Sequence, residues 1–419
     1  MTERLLQYIW QFQYFNKSEL QTCAGEKVQV IHPGFINTHQ GPDFADAKIL
    51  IDDTTWAGNV ELHLLTSHWH LHGHHTDKNY NNVILHVVWQ DDQPGKQLNI
   101  PVIELNHRVS NHLISRYQEW MNRSSFIPCE NAIAQVKNLT WQAWLDRLLA
   151  ERLTRKAEIV FTFLNQTNNS WEDTFWWLLA RNFGARVNAD AFEQIARSIP
   201  LQLLAKHKNN LLQLEALLLG QAGLLKENAT EDYAIMLHKE YAFLKNKYKL
   251  KPLHIPPMFL RMRPGNFPGI RLAQLAMLVH HSSHLFSKIK EAINADEIKD
   301  WLNVTANDYW HYHYRLDEPS AYKPKNLGRA MINNIIINTM APILYAYGRY
   351  HQQELYKEKA LKWLESCEAE KNTITKGYQG LGIKNASAAD SQALIELKNE
   401  YCSYKRCLEC AVGNAIIRE

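Results

Sequence analysis

Residues 41–65 read GPDFADAKILIDDTTWAGNVELHLL, and this stretch sets the expectation for the fold. Two β-like runs, Asp43–Ile51 and Trp56–Leu65, are separated by the pair Asp52-Asp53. Short polar pairs of this kind suit a tight turn between antiparallel strands. The stretch therefore predicts a β-hairpin that begins directly after the turn signal Gly41-Pro42.

The predicted hairpin brings two carboxylates and one imidazole together. Glu61 and His63 are two positions apart, so their side chains leave the same face of one strand. If Asp52-Asp53 forms the loop, Asp43 lies opposite Leu62, and a shift of one residue places it opposite Leu64. Either register leaves Asp43 close to Glu61 and His63. Such a group can hold a hard divalent cation, and we expect Mg²⁺ or Mn²⁺ there.

Further elements extend outward from the hairpin. An aromatic-rich helix is predicted over residues 3–15, and a polar connection of helical size lies between Leu65 and Asn81. The run Val83–Val88 is apolar on both faces, which predicts an interior strand covered on both sides. This run is part of the predicted strand Asn82–Trp89. The other predicted strands outside the hairpin are Lys27–Ile31 and Gln97–Glu104. The fold class expected for residues 1–112 is an α/β domain with a mixed sheet and flanking helices.

The chain turns helical from about Val136 onward. Trp141, Trp144, Leu145 and Leu148 recur at helical spacing, and similar patterns follow to the C-terminus. A proline-rich stretch over residues 251–270 interrupts them. We therefore expect a mainly α-helical region over residues 136–419, and its division into two subdomains near 251–270 stays open.

Pro42-Asp43 followed by Glu61-x-His63 resembles the signature of the PD-(D/E)XK nuclease superfamily, with His in place of the usual Lys. The predicted order of helix, three strands, helix and strand is also similar to the restriction-endonuclease-like core of that superfamily. The resemblance implies that Asp43 and Glu61 bind metal and that Glu3 of the first helix assists. His63 would act as ligand or base, because it cannot keep a full positive charge at pH 7. Over its full length the chain also resembles an uncharacterised bacterial family of unknown function.

A histidine tract follows the hairpin, with five histidines within residues 68–75. Neutral imidazole is a common ligand of zinc, manganese and iron. The tract precedes the strand of His86, so we treat His72 and His74 as candidate ligands or phosphate contacts near Glu61. The alternative is a solvated loop whose metal affinity is fortuitous.

Three cysteines lie close together near the C-terminus, at Cys402, Cys407 and Cys410. A zinc ion or an iron–sulfur cluster usually needs four ligands, and Cys129, Cys23 or Cys367 would have to supply the fourth. Some nucleases of the superfamily named above are similar in joining one distant cysteine to three C-terminal ones. The alternative is that these thiols are core residues of a terminal helix.

Composition excludes several classes of protein. Of the 419 residues, 46% are hydrophobic and 21% are charged, which excludes a disordered chain. Six irregularly spaced cysteines exclude a disulfide scaffold and are typical of a reducing compartment. No run approaches 18 apolar residues and the N-terminus lacks the order of a signal peptide, so we expect a cytoplasmic protein without a membrane segment.

Charge is distributed unevenly along the chain. Residues 1–112 carry a net charge of −5 and the rest carries +8, within a total of +3. The basic part permits an anionic partner such as nucleic acid. Arg261, Arg263 and Arg271 flank Asn266-Phe267-Pro268 and are candidates for phosphate contact.

These observations lead to one main functional hypothesis and two alternatives. The main hypothesis is a metal-dependent phosphodiesterase that cleaves DNA or RNA through Asp43, Glu61 and His63. The first alternative is a non-catalytic module that keeps the nuclease fold and binds nucleic acid or protein. The second is a metal enzyme of another class centred on the histidine tract. The sequence does not indicate an oligomeric state.

Overall fold

A computed structural model describes residues 1–37, 39–95, 98–251, 253, 257–260, 262–282 and 284–418. The chain forms two compact units. The first, called the sheet unit below, contains residues 1–144 and 398–419, and the second, the helical unit, contains residues 145–397. The sheet unit thus includes the C-terminal segment, which the sequence analysis grouped with the helical region.

The sheet unit begins with the amphipathic helix α1, Glu3–Phe12. Thr2 caps it by accepting a hydrogen bond from the Leu5 amide, as expected of a threonine at this position. Its apolar face is fully buried and packs against the sheet, and it consists of Leu5, Leu6, Ile9 and Trp10. The helix ends three residues before the predicted boundary, where Gln13 adopts a left-handed conformation.

The mixed sheet is the centre of the sheet unit. Its strands are β1 (Val28–His32), β2 (Phe35–Ile36), β3 (Phe44–Ile51), β4 (Thr54–Leu65), β5 (Val83–Gln90) and β6 (Val102–Glu104). The order is β1-β3-β4-β5-β6, and the short β2, which the sequence did not predict, also pairs with β3. β3 is antiparallel to β1 and β4, whereas β4, β5 and β6 are mutually parallel.

Strand β5 is interior, as its two-sided apolar pattern predicts. It pairs with β4 on one side and β6 on the other, and every residue from Val83 to Val88 is buried. The parallel step from β4 to β5 passes through the short helix α2, His68–Leu71, in the connection expected to be helical. The last predicted strand is shorter than expected, and its first residue, Gln97, lies outside the described residues.

The β3–β4 hairpin has the predicted two-residue loop, since Ile51 pairs with Thr54. A bulge between Phe44 and Ala47 then moves the register by one residue, so that Phe44 pairs with Val60. Asp46 sits in this bulge with φ of 58°, a conformation that aspartate tolerates better than most residues. The shift places Asp43 beside Glu61, within one residue of the predicted partner Leu62.

The rest of the sheet unit is helical. It contains α3 (Asn111–Asn122), the first residues of α4 (Asn138–Gln166) and α19 (Ala411–Arg418). Short 3-10 helices lie at Lys78–Tyr80, Asn106–Arg108, Glu130–Gln135 and Cys407–Glu409. Helix α19 packs against α3 and against the turns at Glu130–Gln135 and Cys407–Glu409, which ties the C-terminal segment to this unit.

The helical unit confirms the expected mainly α-helical region. Its large buried side chains include Phe175, Trp176 and Phe183 in one helix and Phe192 in the next. Among the described helices, none is both long and apolar enough to cross a membrane. After α4 the helices are α5 (Trp171–Phe183), α6 (Ala185–Ser198), α7 (Leu201–His207), α8 (Leu211–Gln221), α9 (Asp232–Tyr248), α10 (Pro268–His281), α11 (Leu285–Glu291), α12 (Ala295–Leu302), α13 (Asp308–His311), α14 (Arg329–Ile335), α15 (Ala341–Tyr350), α16 (Glu354–Ser366), α17 (Thr373–Gly380) and α18 (Ala388–Glu396).

Two features interrupt this helical arrangement. A two-stranded ribbon consists of β7 (His313–Arg315) and β8 (Glu318–Pro319). A π-helical segment, Ile336–Met340, joins α14 to α15. Another π-helical segment, Leu397–Cys402, belongs to the sheet unit except for its first residue. π-helical segments are rare in proteins overall, and where they occur they are often at functional sites.

Candidate functional site

Asp43 and Glu61, the two predicted acidic residues, are joined where β3 begins by hydrogen bonds between backbone amides and carboxylates. The Asp43 amide donates a hydrogen bond of 3.0 Å to Glu61 Oε2, and the Leu62 amide donates one of 3.1 Å to Asp43 Oδ2. Gln7 of α1 donates to the other oxygen, Asp43 Oδ1, at 2.8 Å. Both oxygens of Asp43 are therefore engaged, while Glu61 is anchored through Oε2 and keeps Oε1 for other contacts.

Burial makes the charged forms of this pair unfavourable. It raises the pKa of Asp43 to about 6, against the lowering effect of the bonds from Leu62 and Gln7. Burial and, second to it, the negative charge of Asp43 raise the pKa of Glu61 to about 8. Two carboxylates that share a poorly solvated site cannot both ionise without a compensating cation. The pair therefore holds at least part of a proton near neutral pH.

The histidine tract folds back over this pair. Helix α2 ends at Leu71, and Gly73, with φ of 76°, reverses the chain behind it. The turn directs His72 and His74 toward β4, where their rings lie 4.9 and 5.1 Å from the ring of His63. His70 and His75 contact each other instead. His70, His72 and His75 are exposed, whereas His74 is half-buried.

Four donor atoms converge at this point. The ligand atoms of His63, His72 and His74 lie within 4.8 Å of one another. His72 Nδ1 is 3.1 Å from His63 Nε2, and Glu61 Oε1 is 3.5 Å from His63 Nε2 and 3.4 Å from His74 Nε2. Zinc bound tetrahedrally at about 2.0–2.1 Å separates its ligand atoms by about 3.3 Å. The three separations of 3.1, 3.4 and 3.5 Å are close to this value, so these donors could hold a transition metal.

His74 Nε2 is the most informative of these atoms. It is buried and has no hydrogen-bond partner among the described residues, although it faces Glu61. Buried polar atoms nearly always have a partner, and an exception calls for an explanation such as an ion. A metal bound between Glu61, His63, His72 and His74 would satisfy this nitrogen.

His63 is fixed from behind by a residue that the sequence analysis did not include. Its Nδ1 lies 2.9 Å from Nε2 of His86, which is fully buried on β5. Burial lowers the pKa of His63 to about 2 and that of His86 to about 3, so both rings are neutral. A proton on His63 Nδ1 that is donated to His86 leaves His63 Nε2 free to bind metal.

Glu3 lies at the rim of the site. Its Oε1 is 3.9 Å from His68 Nδ1, too far for a hydrogen bond, and its side chain is partly exposed. Its negative charge contributes to raising the pKa of both Asp43 and Glu61. The structure thus brings Glu3 near the predicted centre without a direct contact to the four donors.

Aromatic rings enclose the site on the side of the tract. Tyr80 stacks on His74 with 3.8 Å between ring centroids, and the buried Trp69 lies 5.3 Å from His86. Burial raises the pKa of Tyr80 to about 12, with added effect from the charges of Glu61 and Asp43. Sequence reasoning missed these rings, and the only signal was their position beside the histidine tract.

The cysteine prediction concerns another part of the sheet unit. Cys129, Cys407 and Cys410 are buried and Cys402 is half-buried. Burial raises the pKa of Cys129, and the neighbouring charges of Cys402, Cys410 and Cys407 raise it further. Burial and Cys402 likewise raise the pKa of both Cys407 and Cys410 to about 12. Cys129 is therefore the thiol that lies beside the three C-terminal ones.

The two other cysteines are elsewhere. Burial raises the pKa of Cys23 to about 12, and its charged neighbours are Asp91 and Glu104. Cys367 belongs to the helical unit. Of the three arginines considered for phosphate contact, Arg261 lies outside the described residues and Arg263 is exposed.

Comparison with known proteins gives one match. A family model described as "Protein of unknown function (DUF2851)" matches residues 3–373. No curated protein and no solved structure matches the chain significantly. The matched range contains all four donors of the histidine site, whereas Cys402, Cys407 and Cys410 follow it.

Proposed function

We propose, for a chain that belongs to the DUF2851 family of proteins of unknown function, that the sheet unit holds a catalytic divalent metal. Its ligands are Glu61, His63, His72 and His74. The observation that carries the proposal is the buried, unpartnered His74 Nε2, which lies 3.4 Å from Glu61 Oε1. Three imidazoles and one carboxylate favour Zn²⁺ or Mn²⁺ over Mg²⁺.

The proposed reaction is metal-assisted hydrolysis. A bound metal of this kind polarises a substrate oxygen and lowers the pKa of a bound water. Asp43 orients Glu61 through its amide and adds a buried carboxyl group with a pKa raised to about 6. A carboxyl group poised near neutral pH suits a general base that accepts the proton of the attacking water.

The substrate we propose is a phosphodiester bond of DNA or RNA. Support comes from the Asp43, Glu61 and His63 pattern and from the β3–β4 hairpin that joins the acids. The element order adds to it, since α1 is followed by β1 to β4, of which β2 has only two residues, and then by α2 and β5. The proposal departs from the PD-(D/E)XK pattern in one respect. His63, which replaces the usual Lys, acts as a metal ligand, and the histidine tract supplies two ligands more.

A second candidate function is hydrolysis of another substrate class by the same metal. The observation that favours it is the predominance of imidazole over carboxylate among the four donors. Activity assays with metal-loaded protein distinguish the two candidate functions, because both use the same metal-binding residues but act on different substrates.

We also propose a second metal site at Cys129, Cys402, Cys407 and Cys410, filled by zinc or an iron–sulfur cluster. The support is the burial of three of these thiols and the electrostatic coupling among all four. Cys410 Sγ also accepts hydrogen bonds from the amides of Val412 and Gly413, which favour a thiolate. This site would be structural, because four cysteine ligands leave no open position on the metal. Its ligands are also separate from those of the histidine site.

The test begins with metal binding. Chelator-stripped parent protein should gain thermal stability with stoichiometric Mn²⁺, because a ligand of the native state stabilises it. Mn²⁺ is used because thiolates, as at the cysteine site, prefer Zn²⁺. His74→Gln should lose most of that gain. His75→Gln is the matched control, since His75 is in the same tract and outside the four donors, and it should respond as the parent does.

Activity is then measured on single- and double-stranded DNA and RNA. Metal-loaded parent and His75→Gln should cleave at least one of these, and Glu61→Gln and His74→Gln should be inactive. Metal binding without cleavage of any nucleic acid would refute the nuclease proposal and leave the second candidate. Equal metal responses of His74→Gln and His75→Gln would refute the metal site.

A further inference from the structure

The helical unit contains a cavity of about 550 Å³ between α4, α5, α6, α10, α14 and the π-helical segment. Cavities of this size hold small organic ligands. Four cations line it, namely Lys156, Arg181, Arg186 and Arg271, and no aspartate or glutamate is among its described lining residues. The cavity wall is therefore strongly basic.

Arg271 provides a guanidinium group without a counter-charge. It is half-buried, and its hydrogen bonds are with Gln274 Oε1 at 2.9 Å and Asn266 Oδ1 at 2.5 Å. No carboxylate of the described residues forms an ion pair with it, and burial lowers its pKa to about 10. A buried charge whose partners are neutral amides is costly, and an anion in the cavity would offset that cost.

Lys156 is held in a similar way. Its Nζ donates hydrogen bonds of 2.9 Å to Asn338 Oδ1 and to Gln392 Oε1, both of them neutral acceptors. Burial lowers its pKa to about 7, although the charges of Glu370 and Glu396 partly oppose the shift. A nearby anion would favour the charged ammonium. Lys156 and Arg271 thus both lack a bonded carboxylate in the described chain.

The other two cations differ from this pair. Arg181 is already compensated by ion pairs of 2.6 Å with Asp190 and Glu193. Arg186 is exposed, and no described residue forms an ion pair with it, so it is free to contact a ligand at the cavity mouth. Arg186 and Arg271 are not paired with any described carboxylate, and a nearby anion would keep Lys156 charged. Together these three groups suit a multiply charged anion better than a single carboxylate.

The rest of the lining indicates that the ligand is more than an anion. Apolar side chains form part of the wall, and amide and hydroxyl groups lie among them, two of these on the π-helical segment, Asn338 and Thr339. This combination suits a charged group joined to a flat or partly apolar body. The apolar lining residues include Ile159, Val160, Leu178, Met331 and Pro342.

We propose that this cavity binds a small phosphate-bearing ligand of about the size of a mononucleotide. Arg271, Lys156 and Arg186 bind the phosphate, and the apolar wall with its amides contacts the remaining body. The site is separate in residues and chemistry from the histidine site, so it does not depend on the function proposed for the sheet unit.

The test is a binding series with parent protein. Isothermal titration with AMP, GMP, UMP, inorganic phosphate and adenosine should show that at least one nucleoside monophosphate binds more tightly than phosphate and that adenosine does not bind. Arg271→Gln and Arg186→Gln should each weaken this binding by about tenfold or more. Arg186 is exposed, so its variant reports on the site even if Arg271→Gln folds poorly.

Two controls define the specificity of the result. Arg315→Gln removes an arginine of the same unit outside the cavity and should bind as the parent does, and Glu61→Gln should also bind normally. Three outcomes would overturn the proposal: no binding of any nucleoside monophosphate, no effect of both arginine variants, or tighter binding of a short oligonucleotide that Arg271→Gln and Arg186→Gln abolish.

Discussion

The rings of His63 and His86 meet across the parallel strands β4 and β5, with His63 Nδ1 2.9 Å from His86 Nε2. The strand register, in which Glu61 pairs with His86, places the His86 ring behind the metal-facing side of β4. Because both rings are buried and neutral, only one proton lies between the two nitrogens. That proton decides whether His63 Nε2 presents a lone pair to a metal.

His86→Phe removes the acceptor and keeps a buried ring of similar size. We expect metal affinity to fall by about 10–100-fold, the usual effect of losing the partner that orients a histidine ligand. Competition with a chelator of known affinity measures it, with His70→Phe as an exposed control. Unchanged affinity in His86→Phe would show that His63 needs no such partner.

Glu61 should make the metal-free protein less stable in alkaline solution. Its pKa is raised to about 8, above the ordinary carboxyl value of 4.5, so folding favours its protonated form. That stabilisation is complete below about pH 4.5 and is lost as pH rises through 8. Between pH 7 and 9, where unfolded histidines are neutral, the loss should be on the order of 1 kcal/mol.

Thermal unfolding of chelator-stripped protein tests this dependence. The parent midpoint should fall by a few degrees between pH 7 and 9, at about 2–4 °C for each kcal/mol. Glu61→Gln should fall less, since glutamine does not titrate, and Glu119→Gln is the exposed control. In the parent, saturating metal should abolish the fall of the midpoint between pH 7 and 9. Equal slopes in the parent and Glu61→Gln would contradict the raised pKa.

Asp43→Asn separates charge from hydrogen bonding. The asparagine carbonyl can still accept from the Leu62 amide, but the charge that opposes ionisation of Glu61 is lost. Metal-free Asp43→Asn should therefore be more stable than the parent at pH 8, and its affinity for metal should be lower by about tenfold. Asp53→Asn, in the exposed hairpin loop, should change neither quantity. A metal-free Asp43→Asn that is less stable than the parent would show that the Asp43 charge stabilises the fold.

Cys129→Ser tests the proposed cysteine site. Parent protein purified without oxygen should contain zinc or iron beyond what the histidine site binds, measured by elemental analysis. Cys129→Ser should lose that metal and unfold at lower temperature, whereas Cys23→Ser should keep it. If the His74→Gln variant contains neither zinc nor iron, the four thiols are core residues only.

The sequence by itself determined the local parts of the sheet unit. The hairpin loop, the shared face of Glu61 and His63 and the interior position of β5 follow from residue alternation along single strands. That alternation is a property of the extended backbone and needs no distant contact. The helical character of the chain after Val136 follows in the same way from apolar residues at helical spacing.

Only the tertiary structure decided which distant residues meet. The bulge at Asp46 set Asp43 beside Glu61. The reversal at Gly73 brought His72 and His74, which their position in the sequence had already made candidates, next to His63. His86 was not identified as a site residue from the sequence, and Cys129 was one of three candidates for the fourth thiol, because strand register and the packing of the C-terminal segment decide which residues these two lie beside. Such contacts join residues far apart along the chain, and no local pattern carries that information.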